Sequence, residues 1–203
     1  MARQARLVIP GAAHCALLLS SAGDVFRSDE DCLFFLDSLE ACARASGTRV
    51  LAYSLLPAEA RLVLVPGDAA GLGRCLQETS RRFVRWFNAR YSHQGTVWRG
   101  RFRSCPVAPG LEASACRYVE RLPADRGYAP APWRYLWSSA AARAGLRGDG
   151  LLSPLGAPEG AGLAEPGSAS AWRELLAQPL PGGFAEAIEL AASRGRLFSP
   201  PEG

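Results

Sequence analysis

The 203-residue chain contains no lysine, so all 23 of its basic residues are arginine. It also has no apolar run near the roughly 18–20 residues that a membrane-spanning helix needs, which excludes a transmembrane protein. Behind the basic N-terminus, the apolar stretch 17–19 is too short for the core of a signal peptide. We therefore expect a cytoplasmic protein with no membrane partner.

The ligands of a zinc site are scarce. Two histidines, His14 and His93, accompany six cysteines that form no C-x-x-C pair. Because a zinc site needs closely spaced ligand pairs, this pattern argues against zinc and indicates structural histidines. We interpret the cysteines as small buried hydrophobic residues in a reducing compartment. They are Cys15, Cys32, Cys42, Cys75, Cys105 and Cys116.

Positive charge is concentrated in one part of the chain. Residues 74–103 contain eight arginines and one acid, Glu78, and carry +7, whereas the whole chain carries +4. The remaining residues therefore sum to −3. A GC-rich genome would explain the missing lysine but not this placement, and a concentrated positive window indicates a polyanionic partner.

The apolar patterning predicts an α+β domain with a split β-α-β-β-α-β (ferredoxin-like) antiparallel sheet and helices on one face. We expect this nucleic-acid-binding domain over residues 1–142. A Gly/Pro/Ala-rich linker and short helices near 171–177 and 184–193 would form a C-terminal extension over 143–203. The predicted elements are strand 7–20, a helix from Ser28 to Gly47, strands 49–56 and 61–65 separated by 57–60, helix 69–91, strand 97–107, and a helix over 112–122 ended by Pro123.

An arginine stripe is the candidate nucleic-acid surface. Alternation along 97–107 puts arginines on one side and Trp98 on the other, and the preceding helix adds three more arginines. A solvated strand face is the plainer alternative, but such a face normally mixes charges of both signs. Arginine with interleaved aromatics suits single-stranded or hairpin nucleic acid, with Trp98 as a stacking platform. The candidate phosphate contacts are Arg81, Arg82, Arg85, Arg99, Arg101 and Arg103.

Six segments, in order along the chain, carry a resemblance to a known family. They are 10–14 (PGAAH), 25–31 (VFRSDED), 52–57 (AYSLLP), 82–88 (RFVRWFN) with 95–102 (GTVWRGRF), 117–119 (RYV) and 137–139 (WSS). In these segments the chain resembles the REP-associated tyrosine transposases, a branch of the single-tyrosine HUH insertion-sequence transposases. The resemblance implies the same split sheet and a role in DNA transposition.

The resemblance also implies a chemistry. In this family two histidines, spaced His-x-His on a strand, hold a divalent metal, and a helical tyrosine attacks the scissile phosphate of single-stranded DNA. Tyr118 matches that nucleophile, but Glu59 and Arg61 stand where the histidines are expected, and Leu122 replaces a family amide. Glu59 remains as an oxygen ligand at a former ligand position, whereas Arg61 would repel a cation. We expect no cofactor unless cleavage is retained, in which case it would be Mg²⁺ or Mn²⁺.

The sequence thus predicts a transposase-family protein that binds single-stranded or hairpin DNA and has lost strand cleavage. Tyr118 lies on an apolar helix face, which is more typical of a core residue with a satisfied hydroxyl. We hypothesise that the Arg61 cation meets a phosphate where the metal used to lie. The alternatives are a transposase still active through Tyr118 and Glu59, a regulator that binds RNA, and a relic that binds nothing. The sequence is compatible with a monomer and with a homodimer.

Overall fold

A computed structural model of the chain describes residues 7–155 and 168–199. Its four strands are β1 (His14–Leu19), β2 (Thr48–Leu56), β3 (Glu59–Pro66) and β4 (Arg103–Pro106). They form one antiparallel sheet in the order β2-β3-β1-β4. With α1 (Asp29–Ser46) and α2 (Gly71–Tyr91) as the two crossovers, the connectivity is the predicted split β-α-β-β-α-β.

The crossover helices α1 and α2 cover one face of this sheet, as predicted. Buried aromatic side chains from both helices, including Phe35, Phe83 and Phe87, pack against the sheet. The start of α1 is fixed by Asp31, whose carboxylate accepts hydrogen bonds from the backbone of Ser28 and from the Tyr91 hydroxyl. Because Asp31 caps α1 while bound to α2, it also fixes how the two helices lie together.

The opposite face is covered by α3 (Glu112–Asp125), α5 (Ala169–Ala177) and α6 (Phe184–Arg194), with a short α4 (Ala140–Arg143) and a 3-10 turn (Pro132–Arg134) beside them. The helices predicted in the extension are thus confirmed to within two residues. Trp172, Phe184 and Phe198 bring large buried side chains to this face. Packing continues past residue 142, so the extension completes the core. The part of the predicted linker over 156–167 lies outside the described residues.

Four predicted boundaries move for physical reasons. The strand predicted over 7–20 is reduced to β1, because residues 10 and 11 form a turn in which Gly11 takes a left-handed φ of 77°. The break predicted over 57–60 is a two-residue turn, because Glu59 is already paired with Leu19 in the sheet. The strand predicted over 97–107 shrinks to β4, since Gly100 takes a left-handed φ of 69° and bends the chain. Helix α3 continues through Pro123 to Asp125. Pro123 has no N–H to donate to the Val119 carbonyl four residues earlier, and the Ser54 hydroxyl donates to that carbonyl instead.

The six cysteines are all free and buried, in agreement with the sequence prediction. His14 is also buried, and its ring accepts from the Ile9 backbone N–H while its other nitrogen lies 2.9 Å from the Ala12 carbonyl. The ring of His93 binds the Asn88 side chain at 2.9 Å. Both histidines therefore have structural partners. Across 7–155 and 168–199, no helix is long and apolar enough to span a membrane.

Candidate nucleic-acid interface

A buried ionic cluster occupies the position where the sequence placed the catalytic chemistry. Glu59 and Arg61 are two residues apart on β3, so both side chains point to the face covered by α3 and α6. The Arg61 guanidinium donates to Glu59 Oε2 at 2.7 and 3.0 Å and to the Tyr118 hydroxyl at 2.8 Å. Glu189 from α6 completes the cluster, 3.0 Å from Arg61 and 2.9 Å from the Tyr118 hydroxyl.

Tyr118 is held as a neutral core residue in this cluster. Only 1% of its surface is exposed, and its hydroxyl accepts from Arg61 while it donates to Glu189. Burial raises the pKa of Tyr118 far above its ordinary value, with the nearby Glu189 carboxylate adding to the shift. A nucleophilic tyrosine needs access to its substrate and a means of losing its proton. The structure places Tyr118 where neither is provided.

Arg61 does not face solvent, so the hypothesis that it meets a phosphate is wrong. Its side chain is 3% exposed and lies between the carboxylates of Glu59 and Glu189. Arg126, which forms an ion pair with Glu59 from the outer side, brings the cluster to two acids and two cations. A charge balanced in this way attracts no further anion.

The residues at this position do not fit a divalent metal. Glu59 is the one hard ligand at the two positions where the family resemblance implies histidines, and guanidinium groups of Arg61 and Arg126 occupy its two oxygens. In the described part of the chain, no three His, Cys, Asp or Glu side chains come together as metal ligands would. A cation here would displace two ion pairs and sit against two fixed positive charges.

Exposed arginines surround a cleft of about 280 Å³ between the end of β1, the middle of α2 and the loop before β4. We call it the arginine cleft. Leu18 and Leu19 contribute apolar walls, and Gln77 and Ser80 line the α2 side. The remaining lining residues are Arg81, Trp98, Arg99, Gly100, Arg101 and Phe102.

The structure brings together only some of the predicted phosphate contacts. Arg81, Arg99 and Arg101 share the arginine cleft, whereas Arg82 lies on the other side of α2, in a groove beside the end of α1. Arg103 is exposed on the edge strand β4, facing the same side of the sheet as Arg61. The predicted stripe on a strand is therefore wrong in detail, because the bend at Gly100 separates its members.

Ion pairing further distinguishes these arginines. Glu78 pairs with both Arg81 and Arg82, at 2.9 and 3.2 Å, so their charge is partly compensated. A second group of arginines is exposed and forms no ion pair with an acid among the described residues. Their charge is therefore available to an anion. They are Arg85, Arg99, Arg101 and Arg103.

Trp98 is not a stacking platform. It is 6% exposed, and its ring packs between Phe26, Phe35 and Phe83 at centroid distances of 5.5–6.2 Å. A base cannot lie flat on a ring that is 6% exposed and has three aromatic rings packed around it. The indole nevertheless borders the arginine cleft, and its Nε1–H has no hydrogen-bond acceptor among the described residues.

A second cleft of about 240 Å³ adjoins the first and shares Leu19 and Arg99 with it. We call it the hairpin cleft, since the turn between β2 and β3 forms one wall. Arg126 and Tyr128 line its far side, and the Tyr128 ring is 51% exposed. Sequence reasoning missed both residues. The signal that could have found them is an arginine and an aromatic residue close together directly after α3, the same combination that indicated nucleic-acid binding over 81–103.

A larger cavity of about 460 Å³ lies beside α5, and its cations are engaged in structural contacts. Arg143 binds the buried Glu120 and stacks on Trp172. Arg147 donates to the Ser138 carbonyl at 2.9 Å. These arginines tie the extension to the sheet and are not free for a ligand.

Comparisons with known proteins place this fold beside a transposase. No family model matches the chain, and no curated protein matches its sequence. A solved structure of a REP-associated tyrosine transposase bound to a REP hairpin is similar, with a TM-score of 0.56 and 16% identity over 78% of this chain and 98% of that one. A Deinococcus radiodurans R1 protein assigned as a transposase matches with a TM-score of 0.40 and 16% identity, over 59% and 96%. The first likeness shows that the chain has this transposase fold.

Proposed function

We propose that this chain is a transposase-family protein that binds single-stranded or hairpin DNA across the two clefts and does not cleave it. The observation that carries the proposal is the position of Arg99, which stands exposed and without a described ion pair between the arginine cleft and the hairpin cleft. Likeness in fold to a transposase bound to a REP hairpin supports DNA as the ligand.

The chemistry of the clefts suits a single strand. Arg81, Arg99 and Arg101 would bind successive phosphates, and the exposed Tyr128 ring in the adjoining cleft offers a face on which an unpaired base stacks. Both clefts are too small to hold a duplex. A hairpin would therefore present an unpaired tail or loop to them.

Loss of cleavage follows from the buried cluster. Phosphodiester cleavage by a tyrosine needs an accessible nucleophile and a Lewis acid on the phosphate oxygen. Tyr118 is buried and hydrogen-bonded, and Glu59 is held by Arg61 and Arg126. The cluster holds α3 and α6 on the sheet, because Arg61 on β3 binds Tyr118 of α3 and Glu189 of α6.

Fluorescence anisotropy of a labelled DNA hairpin with a single-stranded tail, titrated at several salt concentrations, tests the proposal. Each phosphate contact on a single strand adds about −0.7 to the log–log salt slope. The variant Arg81→Ala/Arg99→Ala/Arg101→Ala should lose affinity and about two units of slope. The charge-matched control Arg44→Ala/Arg173→Ala/Arg194→Ala, with all three positions exposed and outside the two clefts, should keep both.

The same assay separates the alternatives. Equal loss in the cleft variant and in the control would mean that binding follows net charge, and the proposal fails. A matched RNA hairpin that competes better than DNA would favour the RNA-binding regulator. Metal-dependent covalent capture that is lost in Tyr118→Phe would favour the active transposase.

A further inference from the structure

The α2 side of the arginine cleft carries two neutral polar side chains beside its cations. Gln77, Ser80 and Arg81 all line the cleft, and their spacing of three and four residues puts them on one face of α2. That face therefore turns its side chains toward the cleft. Gln77 is exposed and Ser80 is partly exposed, so a ligand in the cleft can reach both.

Both side chains have hydrogen-bonding groups to offer. Among the residues that the structure describes, neither the Gln77 amide nor the Ser80 hydroxyl has a hydrogen-bond partner. The buried Thr79 beside them is engaged, because its hydroxyl donates to the Cys75 carbonyl at 2.9 Å. The Gln77 amide thus presents a donor and an acceptor side by side to whatever enters the cleft.

The loop on the other side of the cleft leaves room for a flat group. Gly100 lies there with a left-handed φ of 69°, and no atom outside its chain neighbours comes within 4 Å of the place where a Cβ would stand. Arg99 and Arg101 flank this open position and are exposed. The cavity of about 280 Å³ is near the lower limit of small-ligand pockets, which suits a single base.

We propose that the arginine cleft holds one unpaired base of the bound strand, whose edge is read by the Gln77 amide while the three cleft arginines bind the flanking phosphates. A phosphate offers only acceptors at neutral pH, so it would leave the amide oxygen of Gln77 without a donor. Adenine satisfies both halves of the amide, because its N6 amino group donates and its N7 accepts. Gln77 is therefore a specificity-determining residue with a preference for adenine. This inference rests on the proposed function and adds which part of the strand selects the sequence.

Tailed hairpins test the base site. One labelled stem-loop would carry a short thymine tail, and a single adenine would be stepped along that tail while fluorescence anisotropy measures affinity. At one position adenine should bind about tenfold more tightly than thymine, the discrimination typical of a good bidentate contact. The analogue 7-deazaadenine, which lacks N7, should lose most of that gain at the same position.

Variants separate reading of the base from binding of the backbone. Gln77→Ala should abolish the preference for adenine while keeping both the affinity for the all-thymine tail and the salt slope. Gln178→Ala, at an exposed position outside both clefts, is the matched control and should keep the preference. Gln77→Glu, which offers acceptors only, should bind cytosine at that position at least as well as adenine.

The possible results distinguish the base site from the proposed function. A preference for adenine that is lost in Gln77→Ala and kept in Gln178→Ala supports both. Hairpins that bind with the predicted salt slope, but with no tail position that prefers adenine, overturn the base site and leave the proposed function standing. A preference that survives in Gln77→Ala, or that disappears in both glutamine variants, does the same. If no tailed hairpin binds, the proposed function fails and the base site fails with it.

Discussion

Removal of Arg61 tests whether this residue holds the structure together or binds DNA. In Arg61→Met, Glu59 would lose its buried partner, and its side chain is only 7% exposed. Breaking a buried ion pair by removing one member costs about 3–5 kcal/mol. Arg126 still contacts Glu59, and Glu189, with 42% of its side chain exposed, can turn to water. We therefore expect the free energy of unfolding to fall by about 3 kcal/mol, the lower end of that range.

A second substitution should restore much of this loss. In Arg61→Met/Glu59→Leu no acid is left buried without its partner, and replacing a buried pair by apolar residues of similar volume is often neutral. We expect the double variant to be at least about 1–2 kcal/mol more stable than the single variant. Urea unfolding measures both. Arg44→Met, which breaks the exposed Arg44–Glu40 pair, is the control and should change stability by less than about 0.5 kcal/mol.

DNA affinity gives the complementary readout. Because Arg61 is 3% exposed and its charge is balanced, Arg61→Met should bind the hairpin within about twofold of the parent wherever it is folded. The reasoning is refuted if Arg61→Met keeps its stability and loses as much affinity as Arg99→Ala. It is also refuted if the double variant is as unstable as the single one.

Three further predictions follow from the packing. Burial raises the pKa of Cys75 and Cys105 to about 12, so the unfolded chain loses thiol protons first as pH rises. Urea unfolding should show stability falling between pH 8 and pH 10, by on the order of 1 kcal/mol per thiol per pH unit above about 9. The fall should be smaller in Cys75→Ala. Phe198→Ala, at a buried site, should lower the free energy of unfolding by about 3–5 kcal/mol, measured by thermal or urea unfolding. Leu190→Ala, half exposed on α6, should lower it much less. Equal losses would contradict the packing of the extension. Tyr118→Phe should lower stability by about 0.5–1.5 kcal/mol and leave hairpin affinity unchanged in anisotropy; a large loss of affinity would argue for an exposed role.

The sequence predicted the elements whose signals are local. Ser28 and Gly47 mark the start and end of α1, and short apolar segments identified β1, β2 and β3. Exposure of Arg99, Arg101 and Arg103 was also predictable, because they alternate along the chain with Trp98, Gly100 and Phe102, and the two aromatic residues are buried. Their placement was not, since the left-handed bend at Gly100 depends on how the loop meets β1.

The contacts of the site depend on segments far apart in the chain. Arg61 meets Glu189 across more than 120 residues, and nothing in the local pattern of α6 indicates that its half-exposed acid closes the cluster. The same holds for Tyr128, which reaches the hairpin cleft only because α3 continues past Pro123. Periodicity identifies which side chains are buried, whereas the partner of a buried charge follows from tertiary packing.

One gel experiment tests the central claim, binding without cleavage, most directly. An end-labelled DNA hairpin with a single-stranded tail would be incubated with the protein and Mg²⁺ or Mn²⁺, and each sample would be run on a native and on a denaturing gel. The account predicts a shifted complex on the native gel and an intact strand without protein adduct on the denaturing gel. A shortened strand with a covalent adduct that disappears in Tyr118→Phe would contradict it.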